Sequence, residues 1–381
     1  MTKLTVGIAG AGVGGLSAAL ALRTLGHHPV VFEQAAQFGR VGADINLTPN
    51  AVRALDGLGV GEAVRRTAAR PTQRISRMWD TGEVTSRLPM GDTAEQRYGS
   101  PQLTIHRADL TEALGAALPP GTVRHGHRLT GVDTTGDRLR LSFADGDPAE
   151  ADVLIGADGI HSAVRTALFG PEQPEFTGVV AYRAVVPADR LDVPHLDAFT
   201  KWWGPDPQTQ LVTFPLNRGR DVFVFATRPQ DAWREESWTT PGAVAELREA
   251  YAAFHPEARA LLAGCDSVLK SALYVRDPLP TWTAGRVTLL GDACHPMMPF
   301  MAQGAGQAIE DAVVLARCLA EESRTPEESL LAYQAARLPR TSRVQLGSRA
   351  NDWLKSGGDA DWLYGYDAWS EPTDGRAPVP A

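Results

Sequence analysis

The sequence predicts a mixed α/β fold in which helices pack on a parallel sheet, a mainly antiparallel β-sheet is inserted, and helices follow at the C-terminal end. Three observations predict it. The chain opens with a βαβ pattern, its middle is rich in strands separated by proline-rich turns, and its last third holds a buried strand followed by helical patterns. With 381 residues and 43% hydrophobic content, the chain can form one or two domains with a large core.

The first 160 residues define the opening unit. An apolar run ended by glycine, residues 4–10, predicts a buried strand; residues 15–25 have helical spacing, and residues 29–33 predict a second buried strand. A crossover of this length joins parallel strands. Further elements are expected as helices at 49–58 and 108–118, an antiparallel hairpin at 128–146 and a buried strand at 151–159.

The middle of the chain changes character. A mainly antiparallel sheet is predicted by the runs GVVAYRAVV, TKWW, QLVTFPL and DVFVFAT. Residues 285–293 then predict another buried strand. Helices are predicted after it, one from Gln307 and one from Pro326 to about Ala350. We therefore expect residues 1–175 and 276–350 to form a discontinuous α/β domain, residues 176–275 an inserted β-sheet domain, and residues 351–381 a C-terminal extension that frays from Asp374.

Composition excludes several function classes. A net charge of −8 disfavours nucleic acid as a partner. No apolar run approaches the ~20 residues of a membrane span, and the N-terminus lacks a signal-peptide pattern. Three scattered cysteines without a CxxC motif fit a reducing compartment. The expected location is the cytoplasm.

The turn after the first strand carries a nucleotide-binding fingerprint. Gly10 to Gly15 fits G-x-G-x-x-G, and Glu33 ends the second strand 18 residues later. In this Rossmann-like context Gly10 allows a tight turn, Gly12 lets a pyrophosphate approach the backbone, and Gly15 lets the helix pack closely on the strand. The helix N-terminus attracts phosphate, and Glu33 can accept ribose hydroxyl groups. The motif alone leaves NAD and FAD open.

Two further motifs follow buried strands. Asp158-Gly159 precedes a helix; taken alone, a turn with a helix cap is the simpler interpretation. Asp292 stands at the carboxyl end of the third strand, where open α/β sheets bind ligands. Pro299 and Gly304 then shape a loop before a helix, an arrangement typical of a site for an anion or a polar ring.

The three motifs, in this order and context, resemble those of the single-component flavin-dependent aromatic hydroxylases, the class A flavoprotein monooxygenases that include salicylate and para-hydroxybenzoate hydroxylase. The likeness extends to about residue 350. The phrases FGRVGADINLTPNAVRAL, LTIHRADL and KWW are most similar to the 6-hydroxynicotinate 3-monooxygenase branch. The resemblance implies a tightly bound, non-covalent FAD, NADH or NADPH as a transient co-substrate, and hydroxylation of an aromatic ring with O2 through a flavin C4a-hydroperoxide.

The resemblance also assigns cofactor contacts. It places the glycine-rich turn at the pyrophosphate, Glu33 at the ribose, Arg107 at the flavin or its phosphates, and Asp292 at the ribityl chain. The full set of expected contacts is Gly10, Gly12, Val13, Gly14, Gly15, Glu33, Gln34, Arg40, Arg107, Asp158, Asp292, Pro299, Gly304, Ala305 and Gly306.

Substrate contacts are expected from the β-rich segment and from loops at the flavin. The candidates are Asn46, Tyr182, Arg183, Trp203, Thr213, Phe214, Phe225, Met298 and Phe300. For Arg183, pairing with a substrate carboxylate and a structural salt bridge both stay open. Core packing is the simpler interpretation of Trp203, although an indole could line the cavity.

Three positions depart from the hydroxynicotinate branch. That branch has histidine at the places of Asn46 and Phe300, and the wider family usually has glycine at Asp44. The changes favour a benzenoid phenol or aminophenol acid. The alternatives are a hydroxypyridine carboxylate as substrate, an epoxidase or N-hydroxylase activity, and a non-enzymatic flavin redox sensor. Simple and decarboxylative hydroxylation both stay open. A monomer and a homodimer are both compatible with the sequence.

The adjacent pair Cys294-His295 invites two other interpretations. A thiol nucleophile is disfavoured because no third group is in sight to orient the histidine. Zinc is disfavoured because no second Cys/His pair stands at ligand spacing. We expect Cys294 to pack in the core, His295 to bond to the local backbone, and no metal to bind.

Overall fold

The computed structural model describes residues 3–39, 44–233 and 240–373. Its strands, in chain order, are β1 (Thr5–Ala9), β2 (His28–Glu33), β3 (Asp44–Leu47), β4 (Gln73–Met78), β5 (Val84–Pro89), β6 (Leu103–His106), β7 (Val123–His125), β8 (Leu129–Asp133), β9 (Leu139–Phe143), β10 (Ala149–Ala151), β11 (Val153–Gly156), β12 (Glu175–Pro187), β13 (Phe199–Trp203), β14 (Gln210–Leu216), β15 (Asp221–Pro229), β16 (Pro241–Gly242), β17 (Val268–Val275), β18 (Thr283–Ala284) and β19 (Val287–Leu289). Its α-helices are α1 (Val13–Thr24), α2 (Pro49–Gly57), α3 (Gly61–Arg65), α4 (Gly91–Tyr98), α5 (Arg107–Ala116), α6 (Ala163–Phe169), α7 (Val244–Ala250), α8 (Pro256–Ala263), α9 (Gly304–Leu319), α10 (Pro326–Ala350) and α11 (Asp361–Tyr364).

A six-stranded sheet forms the first layer, in the order β18-β19-β11-β1-β2-β7. Strand β1 lies between β11 and β2 and pairs in parallel with both. Its residues from Val6 to Ala9 are buried, as expected for a strand covered on both faces. The predicted βαβ unit and the predicted buried strands at 151–159 and 285–293 are confirmed, with shorter limits. All three motif-bearing loops therefore leave the same edge of this sheet.

An eight-stranded sheet forms the second layer, in the order β16-β17-β12-β15-β14-β13-β4-β5. Its pairs are antiparallel except for β13 with β4. The predicted inserted sheet is therefore present, and it is larger than expected because β4 and β5, from residues 73–89, extend it. The boundaries of a separate inserted β-sheet domain remain a prediction.

Two helices in the middle segment, α7 and α8, are absent from the sequence prediction. They cover the outer face of the large sheet, where Leu247, Tyr251 and Leu262 pack against Val180 and Trp202. One face of this sheet is thus buried under helices. The opposite face turns toward the first layer and contributes to the cavity described below.

The longest helix, α10, spans 25 residues and includes Pro339. Its limits confirm the predicted helix from Pro326 to about Ala350. Among the described residues, no helix combines the length and apolar character needed to cross a bilayer.

A buried network of charges joins α9 to α10. Arg337, with 0% exposure, lies 2.8 Å from the Glu310 carboxylate and 2.7 Å from that of Asp311. Arg340 also lies 2.8 Å from Glu310. Burial opposes ionisation of Glu310, yet Arg340 and Arg337 together bring its pKa below the usual value. The two helices therefore meet through ion pairs that are removed from water.

The same network reaches the loops around the cavity. The Asn50 amide donates a hydrogen bond to Glu310 at 2.6 Å, and the Gln303 amide donates one to the Thr48 hydroxyl at 2.8 Å. Thr48 and Asn50 stand at the start of α2, directly after β3, and Gln303 directly precedes α9. The end of β3 and the loop before α9 are thus fixed to each other by side chains.

We expect Arg337→Met to lower the free energy of unfolding by about 3–5 kcal/mol, because it leaves two buried carboxylates short of counter-charge. Chemical denaturation monitored by circular dichroism measures the loss. Arg190→Met is the control, since Arg190 pairs with Asp266 at the surface, where loss of an ion pair costs at most about 1 kcal/mol. Equal losses in the two variants would contradict the structural role of the network.

Candidate flavin and substrate site

The glycine-rich turn after β1 is compact for two steric reasons. Gly10 has a φ of +99°, and a Cβ on it would lie 2.5 Å from the carbonyl oxygen of Ala157. A Cβ on Gly15 would lie 2.0 Å from the carbonyl oxygen of Gly10. These two glycines are therefore required by the protein itself, one for backbone conformation and one for helix packing.

Gly12 differs from its neighbours. A Cβ on it would meet only the Arg107 guanidinium, at 3.9 Å. Gly12 is also the N-cap of α1 and provides no side chain to bond the first N–H groups of the helix. The turn therefore leaves open space beside Gly12, next to the first N–H groups of a helix and to the guanidinium of Arg107. This combination suits a pyrophosphate, because a helix N-terminus and a cation both attract negative charge.

The carboxylate of Glu33 stabilises this turn through hydrogen bonds. It accepts hydrogen bonds from the backbone N–H groups of Ala11 and Ala35, both at 2.8 Å. It lies at the end of β2, beside the glycine-rich turn, as its predicted ribose role requires. Gln34 follows it and is exposed, and Arg40 lies outside the described residues.

The Asp158 carboxylate serves the start of α6. It accepts hydrogen bonds from the Ala163 and Val164 N–H groups, at 2.7 and 3.2 Å, and from the Ser162 hydroxyl. The structure therefore gives Asp158 the helix-capping role that was the simpler interpretation of its motif. The backbone of Ala157 and Gly159 lines the cavity beside it. A contact between Asp158 and a pyrophosphate stays a prediction.

The loop after β19 forms the other wall. Asp292, Pro299, Gly304 and Ala305 line the cavity. Enclosure raises the pKa of Asp292, against the opposing charges of His295 and Arg107. Gly306 does not line the cavity; a Cβ there would contact Ala51 of α2 at 3.4 Å. Gly306 instead lies where α9 packs against α2, and its predicted flavin contact stays a prediction.

One cavity of about 840 Å³ runs from the glycine-rich turn to the large sheet. It is continuous between the two layers, so a flavin ring and a small substrate can meet within it. Five of the predicted substrate residues line it, namely Asn46, Arg183, Phe214, Phe225 and Phe300.

The other four predicted substrate residues lie elsewhere, which corrects the prediction. Tyr182 and Thr213 project from the opposite face of the sheet, because their neighbours Arg183, Val212 and Phe214 face the cavity and side chains alternate along a strand. Met298 packs in an apolar cluster behind the wall. Trp203 is buried and does not line the cavity. Its ring contacts the amine of Lys201, which does line the cavity.

Several lining residues were missed by the sequence analysis as site residues. They are Asp44, Phe199, Lys201, Gln210 and Phe223. Each stands two or four positions from a predicted site residue on the same strand. Side chains two and four positions apart on a strand lie on the same face of the sheet, so this spacing is the sequence signal that indicates them.

Two polar atoms in the cavity wall have unmet hydrogen-bonding capacity. The Asn46 side-chain oxygen accepts a bond from Gln102 at 2.8 Å, but its amide nitrogen has no partner among the described residues. The Gln210 side-chain oxygen likewise has none. Buried polar groups are nearly always bonded, so these two atoms are suited to a ligand.

Asp44 and Arg183 both line the cavity and influence each other electrostatically. Enclosure raises the pKa of Asp44 to about 7, although the charge of Arg183 acts in the opposite direction. Burial lowers the pKa of Arg183 to about 10, and Asp44 opposes that shift. Arg183 also donates a hydrogen bond to the Ser271 hydroxyl. The charge of Asp44 is therefore consistent with an interaction of Arg183 inside the chain, and a contact between Arg183 and a substrate carboxylate stays a prediction.

Cys294 and His295 belong to the core. The His295 ring lies 2.6 Å from the carboxylate of Asp311, and not on the local backbone as predicted; the missing third group is thus supplied by α9. Burial raises the pKa of Cys294 well above its usual value, so the thiol is a poor nucleophile. The ligand atoms of Cys294, His295 and Asp311 lie within 4.8 Å of one another, but Arg337 already supplies the positive charge beside them.

Comparison with known proteins identifies the family to which the chain belongs. Residues 3–347 match the family of FAD binding domains. The chain is 40% identical to a 6-hydroxynicotinate 3-monooxygenase of Bordetella bronchiseptica over 98% of both chains, and 39% identical to a 3-amino-4-hydroxybenzoate 2-monooxygenase of Streptomyces platensis over 90% of this chain and 86% of that one. A salicylate hydroxylase solved with its substrate superposes with a TM-score of 0.83 at 28% identity, covering 100% of this chain and 99% of the other.

We expect Gly12→Ala to weaken FAD binding by at least about tenfold while lowering the stability of the flavin-free protein by only about 1 kcal/mol. The added methyl group enters the open cradle and meets no packed protein atom, so the stability loss reflects only the lower preference of alanine than glycine for an N-cap. Fluorescence titration with FAD and thermal unfolding measure the two quantities. Gly15→Ala is the contrasting variant, expected to lower the melting temperature further because of the clash with Gly10; similar behaviour of both variants would contradict the assignment.

We expect the stability difference between the wild type and Asp44→Asn to depend on pH in one direction. Because the pKa of Asp44 is raised from 3.8 to about 7, the folded state binds the extra proton within that window. The free energy of unfolding of the wild type relative to the variant should therefore fall as pH rises toward 7, by up to about 1.4 kcal/mol per pH unit, and level off above it. Denaturation of the flavin-free proteins at several pH values measures this, and parallel curves would refute the shift.

Proposed function

The chain belongs to the family of FAD binding domains and is an FAD-dependent aromatic hydroxylase. From that premise we propose that its substrate is a benzenoid carboxylic acid with hydroxy or amino substituents. The hydroxylation consumes O2 and either NADH or NADPH. The observation that carries the proposal is the cavity wall. Its ring-facing surface is built from Phe199, Phe214, Phe223 and Phe225, and no histidine is among the described residues that line it. Such a wall suits a carbocyclic ring better than a pyridine.

Bound FAD supplies the redox chemistry and the activation of oxygen. The chain's own residues would hold it along the cavity. Gly12 and the first N–H groups of α1 suit the pyrophosphate, Glu33 the ribose, and Arg107 the phosphates or the flavin. Asp292, at the carboxyl end of β19, is suited to the hydroxyl groups of the ribityl chain.

The remaining wall residues orient the substrate and keep water away. The phenylalanine side chains exclude water from the ring, which strengthens every polar contact inside the cavity. The unpartnered Asn46 amide nitrogen can donate a hydrogen bond to a substrate oxygen. Asp44, with a pKa near 7, can accept a proton from a phenol or an amine at its carboxylate oxygen and return it.

A hydroxypyridine carboxylate is the second candidate. It is supported by the 40% identity to the 6-hydroxynicotinate 3-monooxygenase over 98% of both chains. The absence of an imidazole from the described cavity wall favours the benzenoid acid over this candidate. The alternative of a flavin redox sensor has no counterpart among these relatives, which are monooxygenases.

We also propose a cytoplasmic location and a monomer or homodimer as the working state. All three cysteines are buried free thiols, which fits a reducing compartment.

The test is a substrate screen with 4-hydroxybenzoate, 3-amino-4-hydroxybenzoate, salicylate and 6-hydroxynicotinate. We expect a benzenoid acid to stimulate NAD(P)H oxidation most strongly, by at least about tenfold in kcat/KM over 6-hydroxynicotinate. Mass spectrometry of the product then separates a gain of one oxygen from a gain of oxygen with loss of CO2. A preference for 6-hydroxynicotinate, with matching oxygen gain, would overturn the proposed substrate class.

A further inference from the structure

A row of side chains crosses the cavity face of the large sheet. Lys201 of β13 is paired in register with Val212 of β14, Val212 with Phe225 of β15, and Phe225 with Arg183 of β12. All four residues line the cavity. Since neighbouring strands lie about 4.8 Å apart, the backbones of the two basic residues are separated by roughly 14 Å. The row is therefore an apolar floor with one cation at each end.

The two cations differ in their surroundings. Arg183 lies beside the Asp44 carboxylate, which opposes the fall in its pKa caused by burial. The positive charge at that end is therefore partly balanced from within the chain. An incoming carboxylate would have to compete with Asp44 for this guanidinium.

Lys201 has no such balance. Its side chain is 1% exposed, and its ammonium nitrogen donates a hydrogen bond to the neutral amide oxygen of Asn351 at 2.6 Å. No described carboxylate lies within ion-pair distance of it. Burial lowers its pKa well below the usual value, and the nearby charges of Arg74 and Lys355 add to that effect while Asp352 opposes it.

Two aromatic rings lie close to the amine of Lys201, and one of them, Phe300, also lines the cavity. Its nitrogen lies 3.6 Å from the centre of the Trp203 ring and 5.6 Å from that of Phe300. Both rings favour a cation, but neither supplies a negative charge. A buried amine in a cavity wall without a counter-ion is costly for the protein, unless a ligand brings the missing anion.

We propose that Lys201 binds the carboxylate of the aromatic acid, so that the ring lies over Val212 and Phe225 and its other polar groups point toward Arg183 and Asp44. This inference rests on the proposed function, because it requires a substrate that carries a carboxylate. An ammonium–carboxylate pair removed from water gives both affinity and orientation. The position of the carboxylate then determines which ring carbon faces the flavin.

The test compares acids with their amides on the FAD-loaded enzyme. The probes are 4-hydroxybenzoate and 3-amino-4-hydroxybenzoate with the matching benzamides, titrated without NAD(P)H and followed by the flavin absorbance change. We expect the wild type to bind the acids at least about a hundredfold more tightly than the amides, and Lys201→Met to reduce that ratio to about one. Lys201→Arg, which keeps the charge, should restore much of the preference.

Two controls separate binding from folding. The melting temperature and FAD content of Lys201→Met should equal or exceed those of the wild type, because the variant removes an unbalanced buried amine. Lys201→Gln, which keeps a donor for Asn351, provides a second neutral variant and should lose the acid preference in the same way.

Three results would overturn the inference, and they are distinguishable. If Lys201→Met keeps the acid preference, Lys201 does not hold the carboxylate. If Arg183→Met removes the preference and Lys201→Met does not, the carboxylate lies at the opposite end of the row. If no aromatic acid perturbs the flavin of the wild type, the proposed substrate class fails and the role of Lys201 fails with it.

Discussion

The buried ion pairs between α9 and α10 are the constraint on which the cavity depends. Glu310 and Asp311 stand adjacent on one helix and meet Arg337 and Arg340 on the other, away from water. Removing charges from water is costly, and each partner is tolerated only while the others stay in place. This mutual dependence fixes the packing of the two helices. It thereby fixes the start of α9, where the loop that faces the flavin site ends.

Hydrogen bonds connect this ion-pair network to two walls of the cavity, the loop before α9 and the segment between β3 and α2. Asn50 connects Glu310 to the start of α2, and Gln303 connects the loop before α9 to Thr48. The strand that precedes Thr48 brings Asn46 and Asp44 to the cavity. One charge network thus positions the flavin-facing loop and the polar end of the substrate space together, and the large sheet closes the cavity from the opposite layer.

The motif-level predictions succeeded where a residue acts through its own backbone. The close contact between Gly15 and Gly10 and the open space beside Gly12 follow from the G-x-G-x-x-G spacing in a βαβ unit. Predictions failed where a side chain depends on a distant partner. His295 bonds to Asp311 on the next helix, which no inspection of the adjacent pair Cys294-His295 indicates.

The sequence by itself determined the layered α/β fold, the order of the buried strands and the three loops at one sheet edge. These features follow from apolar periodicity and from glycines and acids at fixed spacing, which act locally. The cofactor class followed from the resemblance of the three motifs to those of a known family, since the glycine-rich motif alone left NAD and FAD open. Only the tertiary structure decided which side chains share the cavity. Tyr182 and Arg183 are adjacent in the chain yet lie on opposite faces, and Lys201 and Arg183 end one row because four strands pair in a particular register. Burial and charge balance depend on such pairings, because the strand order and register, and not the local sequence, bring the partners together.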